Sequence, residues 1–401
     1  MMYFNQTNKV KLTLSRDLNK HIKRGNPWIF ADAIIGKHKV PSGSYATLLD
    51  HKGNILAQGY YCPNINLAFR VVSLGDKKIS VQDIEARLNR AIANKKHLYT
   101  EQNKSFRLLN GEGDELPGVV CDIYDDVAVI KLDGDASEAF WNADAFAEFL
   151  MKQKEIPLKC VYQKRRNSDE EKGKILRGEK NDLTKVQFLE RGVLFETNLV
   201  DAAKTGFFID QRENRDFIRS FAKGKTLLNL FGYTGGFSVY AGLGGATLVS
   251  TVDIAPHAIE GANRNWTLNK LPASQHEGIC QDAFVWVKEA LDKKQRFDIV
   301  ITDPPSFAPN AKSVENAKKA YIEIFKDSLK LVKDGGYFAA SSCSGHISSD
   351  LFLELCQEAL SQAHRRGKIL LIKGQPEDHP YPLALPEMRY LKFVFMQVTR
   401  D

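Results

Sequence analysis

From about Val193 onward the chain alternates short apolar runs with helical stretches, and nothing else in it narrows the fold so far. The runs TLLNLF, TLVSTVD, FDIVITD and GGYFAASSC are separated by helical patterns around Ser238 and over 258–268, 284–291 and 314–332, with another at 350–363. Strands alternating with helices at this spacing predict a doubly wound parallel sheet of the α/β class. Ligands of such sheets sit outside the carboxyl ends of the strands, where the strand order reverses. The residues at those ends are therefore the ones to read for chemistry.

The first strand runs into Asn229-Leu-Phe-Gly-Tyr-Thr-Gly-Gly-Phe, where Gly232, Gly235 and Gly236 permit a tight turn and close approach of a ligand to the backbone. The second ends at Asp253, about twenty residues on, where a carboxylate can accept both hydroxyls of a ribose. Dinucleotide and S-adenosylmethionine sites share this pattern, and a glycine turn that merely packs helix on strand shares half of it. The third strand region ends at Gln281-Asp282, an acid placed for the exocyclic amine of an adenine. The fourth ends in Asp303-Pro304-Pro305-Ser306-Phe307. Two prolines after an apolar strand stiffen the backbone and remove two N–H donors, leaving carbonyls that a planar amine or nucleobase edge can use. Phe307 can stack on that base, or it can belong to the core.

The fifth strand ends in Ser341-Ser342-Cys343-Ser344-Gly345. Cysteine near a strand end is commonly packing. Here it is flanked by small polar residues at the ligand edge. A thiolate in that place can attack C6 of a pyrimidine, saturating the 5,6 bond and turning C5 into a carbon nucleophile. Asp303, protonated or sharing a proton, would stabilise the adduct by hydrogen bonding to cytosine N3, and a base must later remove the C5 proton.

Upstream, residues 1–75 carry short strands with Gly and Pro punctuation: VKLTL, the Gly25-Asn26-Pro27 break, SYATLLD, a hairpin turn at Asp50, and ILAQGYY. They predict a small β-barrel. Residues 76–190 read as a central α/β domain. A helix carries Ile84, Leu88, Ala91 and Ile92 on one face, two strands flank a Gly/Pro/Asp-rich turn in FRLLNGEGDELPGVVCDIYDDVAVIKL, and a helix follows near 138–152. The charged run 164–174 reads as a solvated hairpin tip, with an RNA-contacting loop as the alternative. Residues 191–401 form the doubly wound domain.

The 401 residues carry a net charge of +7, an excess that favours a polyanionic partner. No apolar run approaches the ~20 residues that cross a bilayer, and MMYFNQTNKV lacks an apolar core behind a basic start, so a cytoplasmic chain is expected. The six cysteines (Cys62, Cys121, Cys160, Cys280, Cys343, Cys356) include no C-x-x-C pair, which points to reduced thiols and to no metal.

Five segments together carry a family resemblance: the Asn229 turn, Lys204-Thr-Gly-Phe-Phe-Ile-Asp-Gln-Arg, Asp303-Pro-Pro-Ser-Phe, Ser342-Cys-Ser-Gly and Tyr390-Leu-Lys. With Gly111-Glu-Gly-Asp-Glu-Leu-Pro-Gly and Gly25-Asn-Pro-Trp-Ile-Phe, the chain resembles bacterial 23S ribosomal RNA cytosine-C5 methyltransferases of the large-subunit methyltransferase I type over nearly its whole length. The resemblance implies an N-terminal PUA domain, a central α/β domain and a Rossmann-like methyltransferase domain using S-adenosyl-L-methionine. It makes Cys343 the nucleophile, with Asp303 beside it. It gives Asn229, Phe231, Gly232, Tyr233, Thr234, Gly235, Asp253, Asp282 and Asp303 to the cofactor, with Gln211 and Arg212 toward its methionine end. Pro304, Pro305 and Phe307 fall to the substrate. The implied partner is 23S ribosomal RNA or a large-subunit precursor, with no membrane, and a homodimer is left open.

Two positions depart from the family pattern. Ser306 stands where Lys is common, removing a positive charge beside the target base, and Asn26 replaces a frequent His before Pro27. Unlike the separate group of RNA cytosine-C5 methyltransferases that carry two cysteines, the chain has a second proline rather than a cysteine after Pro304, so help from a second thiol in product release is not assumed. Three other readings stay open: transfer to an exocyclic amine of guanine or adenine with Cys343 a bystander, a dinucleotide-dependent dehydrogenase, and a non-catalytic RNA-binding protein. The dehydrogenase reading is weakened by a turn that is not G-x-G-x-x-G.

Overall fold

A computed structural model of the chain describes residues 2–165 and 172–400. It forms two compact units, one of residues 1–189, 197–209 and 377–386, the other of 190–196, 210–376 and 387–401.

The first unit opens with β1 (Val10–Thr13), α1 (Asn19–Lys23), β2 (Trp28–Phe30), β3 (Ser44–Leu49), β4 (Ile55–Tyr61) and β5 (Leu67–Leu74), in a sheet ordered β1-β3-β4-β5-β2. Its two edges meet just beyond β1 and β2. Leu14 bridges Ile34, the Ser15 N–H donates to Ala33 O at 2.9 Å, and the Ile35 N–H donates to Thr13 O at 2.8 Å. The sheet therefore closes into the expected barrel, around Leu12, Ile29, Leu48 and Phe69. The predicted turn after β3 is held by Asp50 Oδ1, which accepts the N–H groups of Lys52 and Asn54, each at 2.8 Å.

Helix α2 (Val81–Lys95) starts at Ser80, whose hydroxyl caps the Asp83 N–H, and buries Ile84, Leu88, Ala91 and Ile92 as their spacing predicts. There follow β6 (Ser105–Asn110), β7 (Val119–Tyr124), β8 (Val127–Leu132), α3 (Gly134–Phe140), α4 (Ala143–Met151), β9 (Cys160–Lys164) and β10 (Gly173–Gly178), ordered β10-β9-β8-β7-β6. The sequence suggested two strands and one helix where three strands and two helices occur. Asp125, at φ 54°, makes a tight turn between β7 and β8. Asn142 breaks the helix by capping the Ala145 N–H, while the Trp141 Nε1–H turns inward to Pro117 O at 2.8 Å. The central part of the charged run 164–174, on which the hairpin-tip expectation rested, lies outside the described residues.

Barrel and central sheet share one core, in which Tyr60, Cys62 and Val72 pack with Phe106, Ile130 and Phe146. Across it the Gly111 motif works as a charged fastener. Buried Glu112 accepts from Trp28 Nε1 at 2.8 Å and Arg70 Nη1 at 3.0 Å, while Asp114 takes Lys95 Nζ at 2.6 Å. Asn26, at the departing position, uses Oδ1 to hold the Trp28 N–H at 2.9 Å and its Nδ2 to donate to Ala384 O at 3.1 Å.

A hairpin of β11 (Val186–Glu190) and β12 (Val193–Thr197) leads on to α5 (Arg212–Phe221), β13 (Thr226–Leu230), α6 (Gly236–Leu243), β14 (Leu248–Asp253), α7 (Pro256–Leu268) and β15 (His276–Cys280). The second unit continues with α8 (Ala283–Asp292), β16 (Phe297–Thr302), α9 (Val314–Leu331), β17 (Val332–Ser342), α10 (Ser349–Gln362), β18 (Arg365–Lys373) and β19 (Lys392–Arg400). Its seven strands run β15-β14-β13-β16-β17-β19-β18. The first five are parallel; β19 is antiparallel to both β17 and β18. This is the doubly wound Rossmann-like sheet that the sequence predicts, with an antiparallel pair at one edge that it did not disclose. Strand order reverses between β13 and β16, which locates the ligand crevice.

Candidate active site

Register decides what meets in that crevice. Leu230 pairs with Val252 on one side and Thr302 on the other, and Thr302 pairs with Ala340. Phe231, Asp253, Asp303 and Ser341 therefore leave four neighbouring strands at one level. The turn after β13 is under backbone strain, because Phe231 (φ 59°) and Tyr233 (φ 46°) both adopt the left-handed region that side chains disfavour. Gly232 between them cannot be larger, since a Cβ would lie 2.5 Å from Thr251 Cγ2. The Tyr233 N–H donates to Asp253 Oδ2 and the Ala255 N–H to Asp253 Oδ1, both at 2.9 Å. Each carboxylate oxygen is thus aimed by the backbone and keeps acceptor capacity for a hydroxyl. Beside it Ile254 is 68% exposed, an apolar rim for a flat ring that no sequence pattern flagged. Asp282 is half-buried and caps α8 through the Val285 N–H at 3.1 Å.

At the fourth strand end, Asp303 Oδ2 accepts from Gln211 Nε2 at 3.0 Å, and the same amide reaches Ser341 Oγ at 3.0 Å. Burial pushes the Asp303 carboxyl up to about 6; the Asp210 charge adds to this, and hydrogen bonds from Ser341 and Gln211 oppose it. Gln211 is thus placed between two strand ends, as its proximity to the site requires. Arg212 is enclosed at 1% exposure, with its Nε on Glu213 at 3.3 Å. Two residues the sequence reading passed over belong here. Asn214 donates to Gln211 Oε1 at 2.6 Å, and Asp210 accepts from the Tyr390 hydroxyl at 2.7 Å. Their signal lay in the quoted segment around Ile209-Asp-Gln-Arg, which continues Glu213-Asn214.

The chemistry of this cradle fits a donor-rich, adenosine-bearing sulfonium ligand. Asn229 Oδ1, Asn214 Oδ1 and Asp210 Oδ1 are buried acceptors without a hydrogen bond, and the Thr234 and Thr302 hydroxyls are likewise unpartnered. Unsatisfied buried polar atoms are costly, and an ammonium with ribose hydroxyls supplies the donors that these acceptors lack. Among the described residues no cluster of His, Cys, Asp or Glu is arranged to hold a metal ion.

Pro304 is buried and Pro305 exposed, while Phe307 is half-buried, with its ring centroid 4.9 Å from that of Tyr321 and 6.4 Å from that of Phe231. Ser306, in place of a lysine, joins a hydroxyl relay. Its Oγ lies 3.0 Å from Ser344 Oγ, which lies 3.0 Å from the Tyr321 hydroxyl, which lies 2.9 Å from Ser342 Oγ. The relay ties the Asp303 loop to the Cys343 loop. Cys343 itself is half-buried, whereas Cys62, Cys121, Cys160 and Cys356 are buried and Cys280 is exposed.

The comparisons with known proteins agree with this geometry. Residues 152–370 match the family model of S-adenosylmethionine-dependent methyltransferases, and residues 12–74 match a PUA-like domain. A ribosomal RNA large subunit methyltransferase of Deinococcus radiodurans is 33% identical over 97% of this chain and 98% of its own. The ribosomal RNA large subunit methyltransferase I of Alteromonas mediterranea is 32% identical over 98% and 99%. A protein described as a methyltransferase and solved in complex with S-adenosylhomocysteine has the same fold, with a TM-score of 0.83 at 23% identity over 97% of this chain and 99% of its own. The strained turn, the paired strand-end carboxylates and relatives alike over the full length lead to one assignment: the chain belongs to the ribosomal RNA large subunit methyltransferase I family of S-adenosylmethionine-dependent enzymes.

Proposed function

We propose that this enzyme methylates C5 of a cytosine in 23S ribosomal RNA, with Cys343 as the nucleophile that activates the ring. The observation that carries the reading is the placement of Cys343 and Asp303 at the ends of adjacent strands, with Asp303 held as a weak acid of pKa about 6. Other thiols are poor candidates. Burial pushes Cys62 and Cys160 up to about 11 and Cys356 to about 12, so they stay protonated at neutral pH.

Bound S-adenosylmethionine supplies an electrophilic methyl group. The Asn229–Gly235 turn, Asp253 and Asp282 would hold its adenosine end, and Asp210, Asn214 and Gln211 its amino-acid end. Cys343 Sγ forms a bond to cytosine C6, and the electron pair of the 5,6 bond becomes available at C5. Asp303 hydrogen-bonds N3, where charge develops. Once C5 carries the methyl group, a base takes its proton and the C6–S bond breaks, restoring the aromatic ring and the thiolate.

Support for ribosomal RNA as the substrate comes from the activities for which the relatives are named, the net charge of +7 and the PUA-like barrel. Such a substrate places the enzyme in the cytoplasm. We assign residues 1–75 to RNA holding, 76–190 to the central domain and 191–401 to chemistry; sedimentation velocity reads whether one copy or a homodimer works.

The test is covalent. RNA with 5-fluorocytosine at the target traps the wild-type enzyme, because fluorine does not leave as a proton does. Cys343→Ala forms no adduct and loses turnover while still binding S-adenosylhomocysteine. Near-normal methylation by Cys343→Ala would instead make an exocyclic amine the acceptor, with Asp303 and the Pro304-Pro305 carbonyls as its centre.

A further inference from the structure

The second unit contains a buried cation without a counter-ion. Lys392 is 4% exposed at the start of β19, where it pairs with Ser342 of β17, the residue before Cys343. Its Nζ donates to Ser344 O at 2.6 Å and to Tyr390 O at 2.8 Å. Among the described residues no carboxylate forms an ion pair with it. Of the two other lysines of similar exposure, Lys95 meets Asp114 at 2.6 Å, while Lys164 donates to the Ala202 carbonyl. An ammonium withdrawn from water toward carbonyls alone is expensive, and an anion beside it would repay that cost.

The group able to become that anion is the thiol of Cys343, whose chain neighbours on either side supply the register partner and the acceptor carbonyl. Burial lowers Lys392 to about 8, while the Cys343 charge works in the opposite direction and Arg389 adds to the lowering. The other ionisable groups facing this corner are the Tyr321 hydroxyl on α9, which feels the charges of Cys343 and Asp303, and the Arg389 guanidinium. Lys392 is the cation whose Nζ bonds the Cys343 loop directly, through the Ser344 carbonyl.

We propose that Lys392 is a positioning residue for the reaction: it fixes the Ser342–Ser344 loop through the Ser344 carbonyl and supplies the positive charge that keeps Cys343 as a thiolate. This rests on Cys343 as the nucleophile. A cation next to a cysteine favours the thiolate, which is the attacking form. The role also accounts for Tyr390-Leu-Lys, where Tyr390 offers both a carbonyl to Lys392 and a hydroxyl to Asp210.

The test uses the full chain in a Cys280→Ser background, which removes the exposed thiol, and follows iodoacetamide labelling of Cys343 against pH. With Lys392→Gln the labelling midpoint rises by a unit or more, so that labelling at pH 7 slows about tenfold, while S-adenosylhomocysteine binding changes less than twofold. Lys392→Arg keeps the charge and leaves the midpoint at or below that of the wild type. An unchanged midpoint in Lys392→Gln overturns the proposal, as does an equal rise in Lys392→Arg, which would mean that shape rather than charge matters. If Lys392→Gln does not fold, the arginine profile decides alone: a rise of a unit or more refutes the charge. Failure of the nucleophile reading looks different, since the labelling shift would remain while wild-type enzyme forms no adduct on 5-fluorocytosine RNA.

Discussion

At the scale of single residues, the two strand-end aspartates do opposite things with the same functional group. Asp253 is half-buried and fed by two backbone N–H groups, one to each carboxylate oxygen, so it suits hydroxyl donors. Asp253→Ala should weaken S-adenosylhomocysteine binding by about 1.5 to 3 kcal/mol, read by calorimetry, the range for losing hydrogen bonds to a charged group. Asp303 is half-buried as well, but its carboxyl group is set among protein atoms and burial raises it to about 6. If its acid form is what meets N3, that form is lost as pH rises through about 6, while the thiolate of Cys343 is gained. The wild-type kcat/KM then climbs with pH only to about 6 and levels off. Asp303→Asn keeps a neutral donor with nothing to titrate, so its profile should climb straight through that point; a bend retained in the variant would assign the limb to another group. Both aspartates were legible in the sequence because each ends an apolar run. Asn214, Ile254 and Lys392 were not, since what singles them out is an unpaired atom, an exposed face or a missing counter-ion, and each of these exists only once distant segments are side by side.

Elements explain how two loops from different strands keep one geometry. The Asp303 loop and the Cys343 loop are not bonded by sheet register beyond Thr302 and Ala340, and the Ser306–Ser344–Tyr321–Ser342 hydroxyls take over from there. Tyr321 is the joint, a fully enclosed side chain on α9 whose hydroxyl reaches both serines of the Cys343 loop. Removing that hydroxyl leaves Ser342 and Ser344 short of a partner. Tyr321→Phe should cost about 1 to 2 kcal/mol in denaturant unfolding and slow methylation more than it weakens cofactor binding. A variant that lost stability but kept its rate would show the relay to be scaffolding only. Four of the five parallel strands of this unit could be read as apolar runs, because a sheet covered on both faces needs them; β15, HEGIC, is largely exposed and gave no such run. The β18 and β19 pair escaped notice for the converse reason. Most of β18 is exposed, and RRGKILLIK mixes charge and apolar residues without a clear period.

For the whole molecule, the question is whether the first unit holds RNA, and its shared core limits the experiments that can answer. Deleting residues 1–73 is the obvious one, but Tyr60, Cys62 and Val72 of the barrel lie in the same core as Phe106 and Ile130 of the central sheet. Arg70 and Trp28 also satisfy buried Glu112. Truncation would strip that core and leave a buried carboxylate without its partners, so a fall in RNA binding would report unfolding as readily as the removal of an RNA-holding surface. Surface charge gives the cleaner test. Helix α1 carries Lys20, His21 and Lys23 in its last turn, with Arg24 at its end, and Lys20, Lys23 and Arg24 are exposed. Changing these three to glutamine leaves both cores untouched. If the barrel grips phosphates, affinity for single-stranded RNA should fall, and the log–log salt slope should flatten by about 0.7 for each phosphate no longer neutralised. Calorimetric binding of S-adenosylhomocysteine should be unchanged. A slope that stayed the same would place the RNA path elsewhere on the chain and leave the barrel with a task other than holding the backbone.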